Sequence, residues 1–424
     1  MRDIDQIVAR RRGWITLLLA LVALLAAIDR QAFAVLLVPI QRDLKVSDAA
    51  MGALTGATFA VVYALMALPL ARLADRINRR NLLAGAVAIW SAATMLCGAA
   101  SGYLSLLLIR IGVAGAESAQ MPTTMSLIGD VAPPVQRGGT IGWVIVGSTA
   151  GYSLGSILAG WLNDAVNWRG ALMIVGLPGL LLSALVMLTL PEPRRGAQDG
   201  AAAPPVQEPL IPALRRCAAI PTLAVFALGN VFLQACYQGW LVWVPPFLMR
   251  VHGLSSTRMG AVFGGVIGAS MLSNIVAGVL SDRLARRGPR WSLYLCCIMI
   301  AVSSPFLIAS SLMPGLAGAI ACLVVYTFTS GGITTAAAVV YLSVAPPQMR
   351  GFVTALMALV GNVVGALGGP LLFGACNDVL KLTFGDQSLR YTLLLAPAMF
   401  LVAGGLFLLA SRTIEADVKA ARAG

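Results

Sequence analysis

Four ionisable residues lie inside apolar stretches of this 424-residue chain, where each charge costs about 2.5 to 3.5 kcal/mol to insert and so needs a reason. Asp29 and Arg30 fall in the stretch that starts near Trp14, and Arg110 and Glu117 in the one that starts near Leu104. Read as helices crossing a bilayer core about 30 Å thick in opposite directions, with a rise of about 1.5 Å per residue, they place Asp29 about 22 Å from one face and Arg110 about 9 Å from the other. The depths match. Glu117 lies on the same helix face as Arg110, about two turns deeper. Two arrangements fit these groups. In one, Arg30 and Arg110 hold an anionic group while Asp29 and Glu117 accept and release protons, so that an anion competing for an arginine favours protonation of its acid. In the other, the four residues neutralise one another and pin two helices together.

The elements that must position these groups are membrane helices. Hydrophobic residues make up 58% of the chain and charged residues 11%, and the mean hydropathy is +0.85, which excludes a soluble globular or a disordered chain. Apolar stretches of membrane-spanning length begin near Trp14, Gly52, Leu82, Leu104, Thr140 and Ala171. They resume near Leu223, Met259, Ser292, Leu316, Thr354 and Tyr391. The chain is also duplicated. Val131 to Gly138 reads VAPPVQRG and Val344 to Gly351 reads VAPPQMRG, with arginines 350 − 137 = 213 positions apart. Leu73 to Arg80 reads LADRINRR and Leu280 to Arg287 reads LSDRLARR, with aspartates 282 − 75 = 207 positions apart. The expected fold is therefore an all-α membrane protein of twelve transmembrane helices in two pseudo-symmetric six-helix halves, residues 1–190 and 221–424. A cytoplasmic linker rich in Pro, Ala and charge, 191–220, joins them. Duplicated halves about a central site are the build of a carrier that alternates access. Glycines at small-xxx-small spacing, Gly147, Gly151 and Gly155 and again Gly361, Gly365 and Gly369, predict close helix contacts at corresponding places in the halves.

The net charge of +13 does not point to nucleic acid, because the arginines cluster at alternate span ends rather than on one soluble face. By the positive-inside rule both termini and the middle connection are expected in the cytoplasm, for a multi-pass protein of the cell's inner membrane. The repeated inner segments also supply a candidate cytoplasmic gate: Asp75, Arg76, Arg79, Asp130 and Arg137 in the first half, Asp282, Arg283, Arg286 and Arg350 in the second. Acidic residues contribute little to topology, so a latch in which the aspartates pair with local arginines or a helix N-terminus accounts for them better; contacts to anionic lipid are the alternative.

The second half carries no intramembrane charges to match the first. Its polar candidates for contacting a substrate are Gln234, Tyr237 and Thr334, residue types that also serve as interhelical glue. A cavity charged on one wall and aromatic or apolar on the other suits an amphipathic anion. The seven cysteines lack metal-ligand spacing and His252 is the single histidine, so no metal site and no cofactor are expected. No HExxH, no P-loop and no nucleophile paired with a histidine occurs, so the chain is not read as an enzyme.

At these residues the chain resembles the major facilitator superfamily. Gly278 to Arg287, GVLSDRLARR, resembles the family's G-x-L-x-D-R-x-G-R-R loop signature, with Ala285 where a glycine is usual and Ala71 and Asn78 replacing glycines in the first copy. Arg110 to Glu117, RIGVAGAE, is similar to its fourth-helix R-x-x-x-G-x-G-E pattern, with Ala114 and Ala116 in place of glycines. Together with the Asp29-Arg30 pair, the set looks most like the Spinster-like branch, whose members move sphingolipids or lysophospholipids. The resemblance implies coupling and binding roles for Asp29, Arg30 and Glu117, with Arg110 supporting them. The expected function is a secondary active transporter, proton-coupled and monomeric, moving an anionic lysophospholipid or sphingoid-type lipid within its host membrane. The alternative is a proton-coupled carrier of a small organic anion such as a sugar acid or aromatic carboxylate.

Overall fold

The computed structural model describes the backbone of residues 2–423 except 75, 134–135, 196–209, 286 and 346–348. Its membrane helices are α1 (Arg12–Val35), α2 (Asp48–Ala74), α3 (Arg79–Cys97), α4 (Tyr103–Val131), α5 (137–166), α6 (168–189), α7 (Pro221–Arg250), α8 (Ser256–Ala285), α9 (Pro289–Leu312), α10 (Leu316–Val344), α11 (350–384) and α12 (Leu395–Ala410). A bilayer core offers the backbone no water, so each segment satisfies its amides internally, and helices follow. Eight described helices are long and apolar enough to cross, and the bent pair Gly365–Thr392 with Leu395–Ala410 makes a ninth. Dividing 137–189 at Asn167 and the bent pair at its break, and adding α8, gives twelve. Asn167 takes φ 63° and interrupts an otherwise continuous 53-residue helix. Its side-chain oxygen accepts from the backbone N–H groups of Arg169 (2.9 Å) and Gly170 (3.2 Å), so it also caps the start of α6.

The chain divides into two compact units. Unit 1 comprises Met1–Val46, Thr58–Ala203 and Leu254–Gly265; unit 2 comprises Ser47–Ala57, Pro204–Gly253 and Val266–Gly424. The first turns of α2 thus group with helices of the second half, and the first turns of α8 with helices of the first.

Within each unit a glycine stripe sets the closest helix contact. A Cβ added at Gly147 or Gly151 on α5 would strike the carbonyl oxygens of Ala20 and Leu24 on α1, and one at Gly155 would sit 2.9 Å from Ile28 Cα. In unit 2, a Cβ at Gly365 on α11 would lie 2.6 Å from Gln234 Cβ on α7, and one at Gly369 would meet the Ala235 carbonyl. The expected small-residue contacts of α5 and α11 are therefore made, on α1 and α7. The α5 contacts fix α1, which carries two of the four intramembrane charges.

The end of unit 1 remote from the arginine-rich helix ends is tied by Asp43, in the short helix Leu37–Leu44 that continues α1. Its carboxylate accepts from the Arg169 guanidinium and from Trp168 Nε1 at 3.1 Å, and Arg169 Nη2 donates to the Ala100 carbonyl at 3.1 Å. The Arg169 hydrogen bond, which outweighs a small opposing effect of burial and is helped by Trp168, holds the Asp43 carboxyl below its ordinary range. A depressed carboxyl contributes stability above the unfolded-state range and loses it as pH falls through the folded value. Asp43→Asn should therefore lower the unfolding temperature slightly at neutral pH, with the gap to the parent protein closing in acid below the ordinary carboxylate range. Thermal unfolding of both proteins across a pH series checks this, and a gap that persists in strong acid contradicts it.

Candidate functional site

All four intramembrane charges lie in unit 1. Helix α1 contributes Asp29 and Arg30, α2 contributes the rings of Phe59 and Tyr63, α3 contributes Thr94, and α4 contributes Arg110 and Glu117. Two local features aim these groups. At residues 118 and 119 α4 tightens locally while keeping right-handed helical dihedrals, with Ala119 N–H donating to the Ala116 carbonyl three residues back, so Glu117 sits at an irregular turn of the helix. In α2, a π-helical turn at Ala53–Ala57 widens the backbone just before Phe59, a device frequent at functional sites.

The geometry joins Arg30 to Glu117. Arg30 Nε donates to Glu117 Oε1 at 2.6 Å, and Nη2 of the same guanidinium pairs with that same oxygen. Glu117 is wholly buried, while about a third (34%) of the Arg30 side chain remains accessible. Glu117 Oε2 is buried with no hydrogen-bond partner in the structure. The Arg30 guanidinium carbon lies 5.1 Å from the centroid of Phe59 and 5.8 Å from that of Tyr63, two rings one helical turn apart that stack at 5.9 Å.

Arg110 stands differently. It is buried, its guanidinium carbon lies 4.2 Å from the Phe33 centroid and 5.6 Å from that of Phe59, and its Nε has no hydrogen-bond partner. Among the described residues no carboxylate lies within ion-pair distance of it. Asp29 is equally buried, and its Oδ2 accepts a long bond, 3.4 Å, from Thr94 Oγ1. The four charges therefore form one ion pair and two separately held ions, not a mutually neutralised quartet. A desolvated cation over an aromatic face gains about 2 kcal/mol, well short of what a buried charge loses with its hydration. The arrangement can exchange a proton at an acid and accept an anion at an arginine within one helix layer.

Sequence reasoning found the charges but not the aromatic faces. Phe59 and Tyr63 at helical spacing in an apolar stretch look like ordinary core, and only their place against two arginines distinguishes them. Gln31, next to Arg30, is wholly buried with both amide atoms unpartnered, which its sequence context does not signal.

The other expected residues are distributed over both units. Gln234 and Tyr237 on α7 and Thr334 on α10 belong to unit 2. Gln234 packs against Gly365 of α11, while Tyr237 and Thr334 are exposed. Of the expected gate, Asp75 and Arg286 lie outside the described residues, as do the side chains of Asp282 and Arg350. Arg76 and Arg283 are exposed. Arg137 donates to the Gly129 carbonyl at 2.6 Å and the Ala132 carbonyl at 3.2 Å, which closes the end of α4. Arg79 is 1% exposed and pairs with Asp130 and with Glu192 Oε1 (2.8 Å). It also donates to Ser126 Oγ (3.1 Å) and the Pro193 carbonyl (2.7 Å). These bonds tie α3, α4 and the segment after α6 inside one unit. Glu192, which also accepts from Arg80 N–H at 2.9 Å, is a partner the sequence did not reveal.

Comparison with known proteins agrees with this architecture. The family model for the Major Facilitator Superfamily matches residues 19–369. An MFS-type efflux pump of Mycolicibacterium smegmatis is 30% identical over 96% of this chain and 95% of its own. The sphingosine-1-phosphate transporter SPNS2 of Danio rerio is 25% identical over 92% of this chain and 82% of its own. A crystal structure of a bacterial homolog of the human lysosomal transporter Spinster, inward-facing and unoccupied, superposes with a TM-score of 0.87 at 28% identity, covering 96% of this chain and 98% of that one. With twelve membrane helices in two six-helix halves and the charged first and fourth helices in place, the chain belongs to the major facilitator superfamily and is a Spinster-like transporter within it.

Proposed function

We propose that this transporter is a proton-coupled secondary carrier that moves an amphipathic anion of the lysophospholipid or sphingoid class by alternating access. The observation that carries the reading is the unequal pairing of the two arginines: part-exposed Arg30 is held by Glu117, whereas buried Arg110 has aromatic faces and no carboxylate partner among the described residues. An anionic head group at Arg110 relieves an uncompensated buried cation. Competition for Arg30 then leaves Glu117 to take a proton, which its unpartnered Oε2 can receive without displacing the arginine from Oε1. Asp29, one residue from Arg30 and held only loosely by Thr94, is the second proton site. The name of the Danio rerio relative, a carrier of a phosphorylated sphingoid lipid, supports this substrate class. The positive-inside rule orients the chain with its arginine-rich helix ends, both termini and the connection after α6 in the cytoplasm of a cell with an inner membrane. The working unit is a monomer.

The second reading, a carrier of a small organic anion, is favoured by the confinement of both arginines to one unit, since one cationic wall suffices for a carboxylate. Binding of a series with one anionic head and increasing chain length separates the two. Affinity should rise with length, by up to about fourfold per buried methylene. Affinity independent of chain length replaces the lipid with the small anion.

A further inference from the structure

The helix ends remote from the arginine-rich loops carry a second, finer duplication. At the start of α2, the backbone N–H groups of Asp48 and Ala49 donate to Asp378 Oδ1 and Oδ2 on α11, at 2.9 and 2.8 Å. At the start of α8, the backbone N–H of Thr257 donates to Asp164 Oδ2 on α5, at 2.9 Å. The first N–H groups of a helix have no partner of their own and carry its positive end, so a carboxylate is their strongest acceptor. The two caps are mates: 257 − 49 = 208 and 378 − 164 = 214, the offsets of the internal repeat.

Their surroundings repeat as well. The asparagine before each carboxylate reaches the same helix start, Asn377 Nδ2 to Asp48 Oδ2 at 2.6 Å and Asn163 Nδ2 to Ser256 Oγ at 2.8 Å. One turn further along, a Cβ at Gly52 would strike the Pro370 carbonyl of α11 and one at Gly260 the Ser156 carbonyl of α5. Again 260 − 52 = 208 and 370 − 156 = 214. The sequence carries the same repeat: SDAAMGA at Ser47 and SSTRMGA at Ser255, GWLND at Gly160 and GACND at Gly374. The caps account for the grouping of Ser47–Ala57 with unit 2 and of Leu254–Gly265 with unit 1.

The copies differ in their reinforcement: Asp378 accepts two backbone N–H groups where Asp164 accepts one. Asp48 is wholly buried and accepts a bidentate pair from Arg250 at the end of α7, Nη1 to Oδ2 at 3.0 Å and Nη2 to Oδ1 at 2.9 Å. Its mate Ser256 cannot hold a guanidinium, and the mate of Arg250 is the exposed Arg42. One cap is reinforced by a buried ion pair and the other is not.

We propose that Asp378 and Asp164 are a matched pair of latches that hold the outer ends of α2 and α8 shut during the transport cycle, and that the Asp48–Arg250 pair makes the α2 latch the stronger. The inference rests on the carrier reading and the orientation given above. A carboxylate cap suits the task because it forms in one geometry, is lost as a unit when the helix end withdraws, and leaves groups that water solvates in the open state.

The test is the rate at which a maleimide modifies Leu54→Cys in the full chain, in detergent, with the seven native cysteines replaced. Leu54 is wholly buried in the first turns of α2. Asp378→Ala, which removes both charge-assisted hydrogen bonds of the cap, should raise the rate at least about tenfold. Arg250→Gln should raise it comparably and Asp164→Ala less, while Asp378→Glu restores part of the protection. Leu127→Cys, buried near the other end of α4, should not respond. If Asp378→Ala does not yield a monodisperse protein, the isosteric Asp378→Asn carries the test. An unchanged Leu54→Cys rate in the folded variants, or an equal rise at Leu127→Cys, overturns the latch. The assay needs neither substrate nor proton gradient, so failed gradient-driven uptake by the parent protein would sink the carrier reading and leave this result readable by itself.

Discussion

Glu117→Gln should abolish pH-gradient-driven uptake while sparing counterflow of the same substrate. Glutamine keeps the size of the buried side chain and one acceptor oxygen for Arg30, so the helix contact between α1 and α4 survives in outline. It cannot take up or release a proton, and it cannot neutralise the guanidinium that Glu117 now holds at 2.6 Å. Without a group that can carry the proton at this position, gradient-driven initial rates should fall by at least roughly a hundredfold. Counterflow needs the loaded carrier to reorient and needs no net proton movement, so it should remain. Reconstituted vesicles with and without an imposed gradient give both rates. Intact gradient-driven uptake in this variant removes Glu117 as the coupling acid, and loss of both activities assigns it to anion binding or folding instead.

The charged layer was legible because insertion energetics make any intramembrane ion conspicuous. Asp29, Arg30, Arg110 and Glu117 stand out against a chain with 11% charged residues, and helix rise alone places them at matching depth. The pairing was not legible. Depth does not say which arginine Glu117 meets, and that follows from how α1 and α4 are rotated about their axes, α1 being seated by the glycine stripe of α5. The aromatic faces were hidden for a different reason: Phe59 and Tyr63 are what any apolar helix contains, and the π-turn that precedes them has no sequence mark. The two caps were written in the chain, yet each repeated segment is short and its partner lies more than 90 residues away, 329 positions in the case of Ala49 and Asp378. A carboxylate near a helix end reads as a solvated loop residue until the helix it caps is known.

Arg79 offers the largest expected effect on stability, and it tests whether the repeated arginine-rich segments hold structure as well as topology. In the sequence it is one of several basic residues after the second span, indistinguishable from Arg76 or Arg80. In the structure it is 1% exposed, bound to two carboxylates, a hydroxyl and two backbone carbonyls, whereas Arg76 is exposed. Arg79→Met preserves volume but leaves Asp130 buried without its counter-charge and frees Glu192 and the Pro193 carbonyl, a loss of about 3 to 5 kcal/mol. Unfolding temperature in detergent and the yield of folded protein should both fall sharply. Arg79→Lys should fall between, because an ammonium keeps the charge yet cannot reproduce the guanidinium's planar set of donors. Adding Asp130→Leu to Arg79→Met should recover much of the loss, since a buried pair replaced at both ends by apolar groups leaves no stranded charge. Arg76→Met, at the neighbouring exposed position, should unfold with the parent protein. A parent-like unfolding temperature for Arg79→Met would mean that water reaches Asp130 and that the staple contributes only geometry. A double variant no better than Arg79→Met would place the loss in Glu192 and the segment after α6 rather than in the bond between α3 and α4.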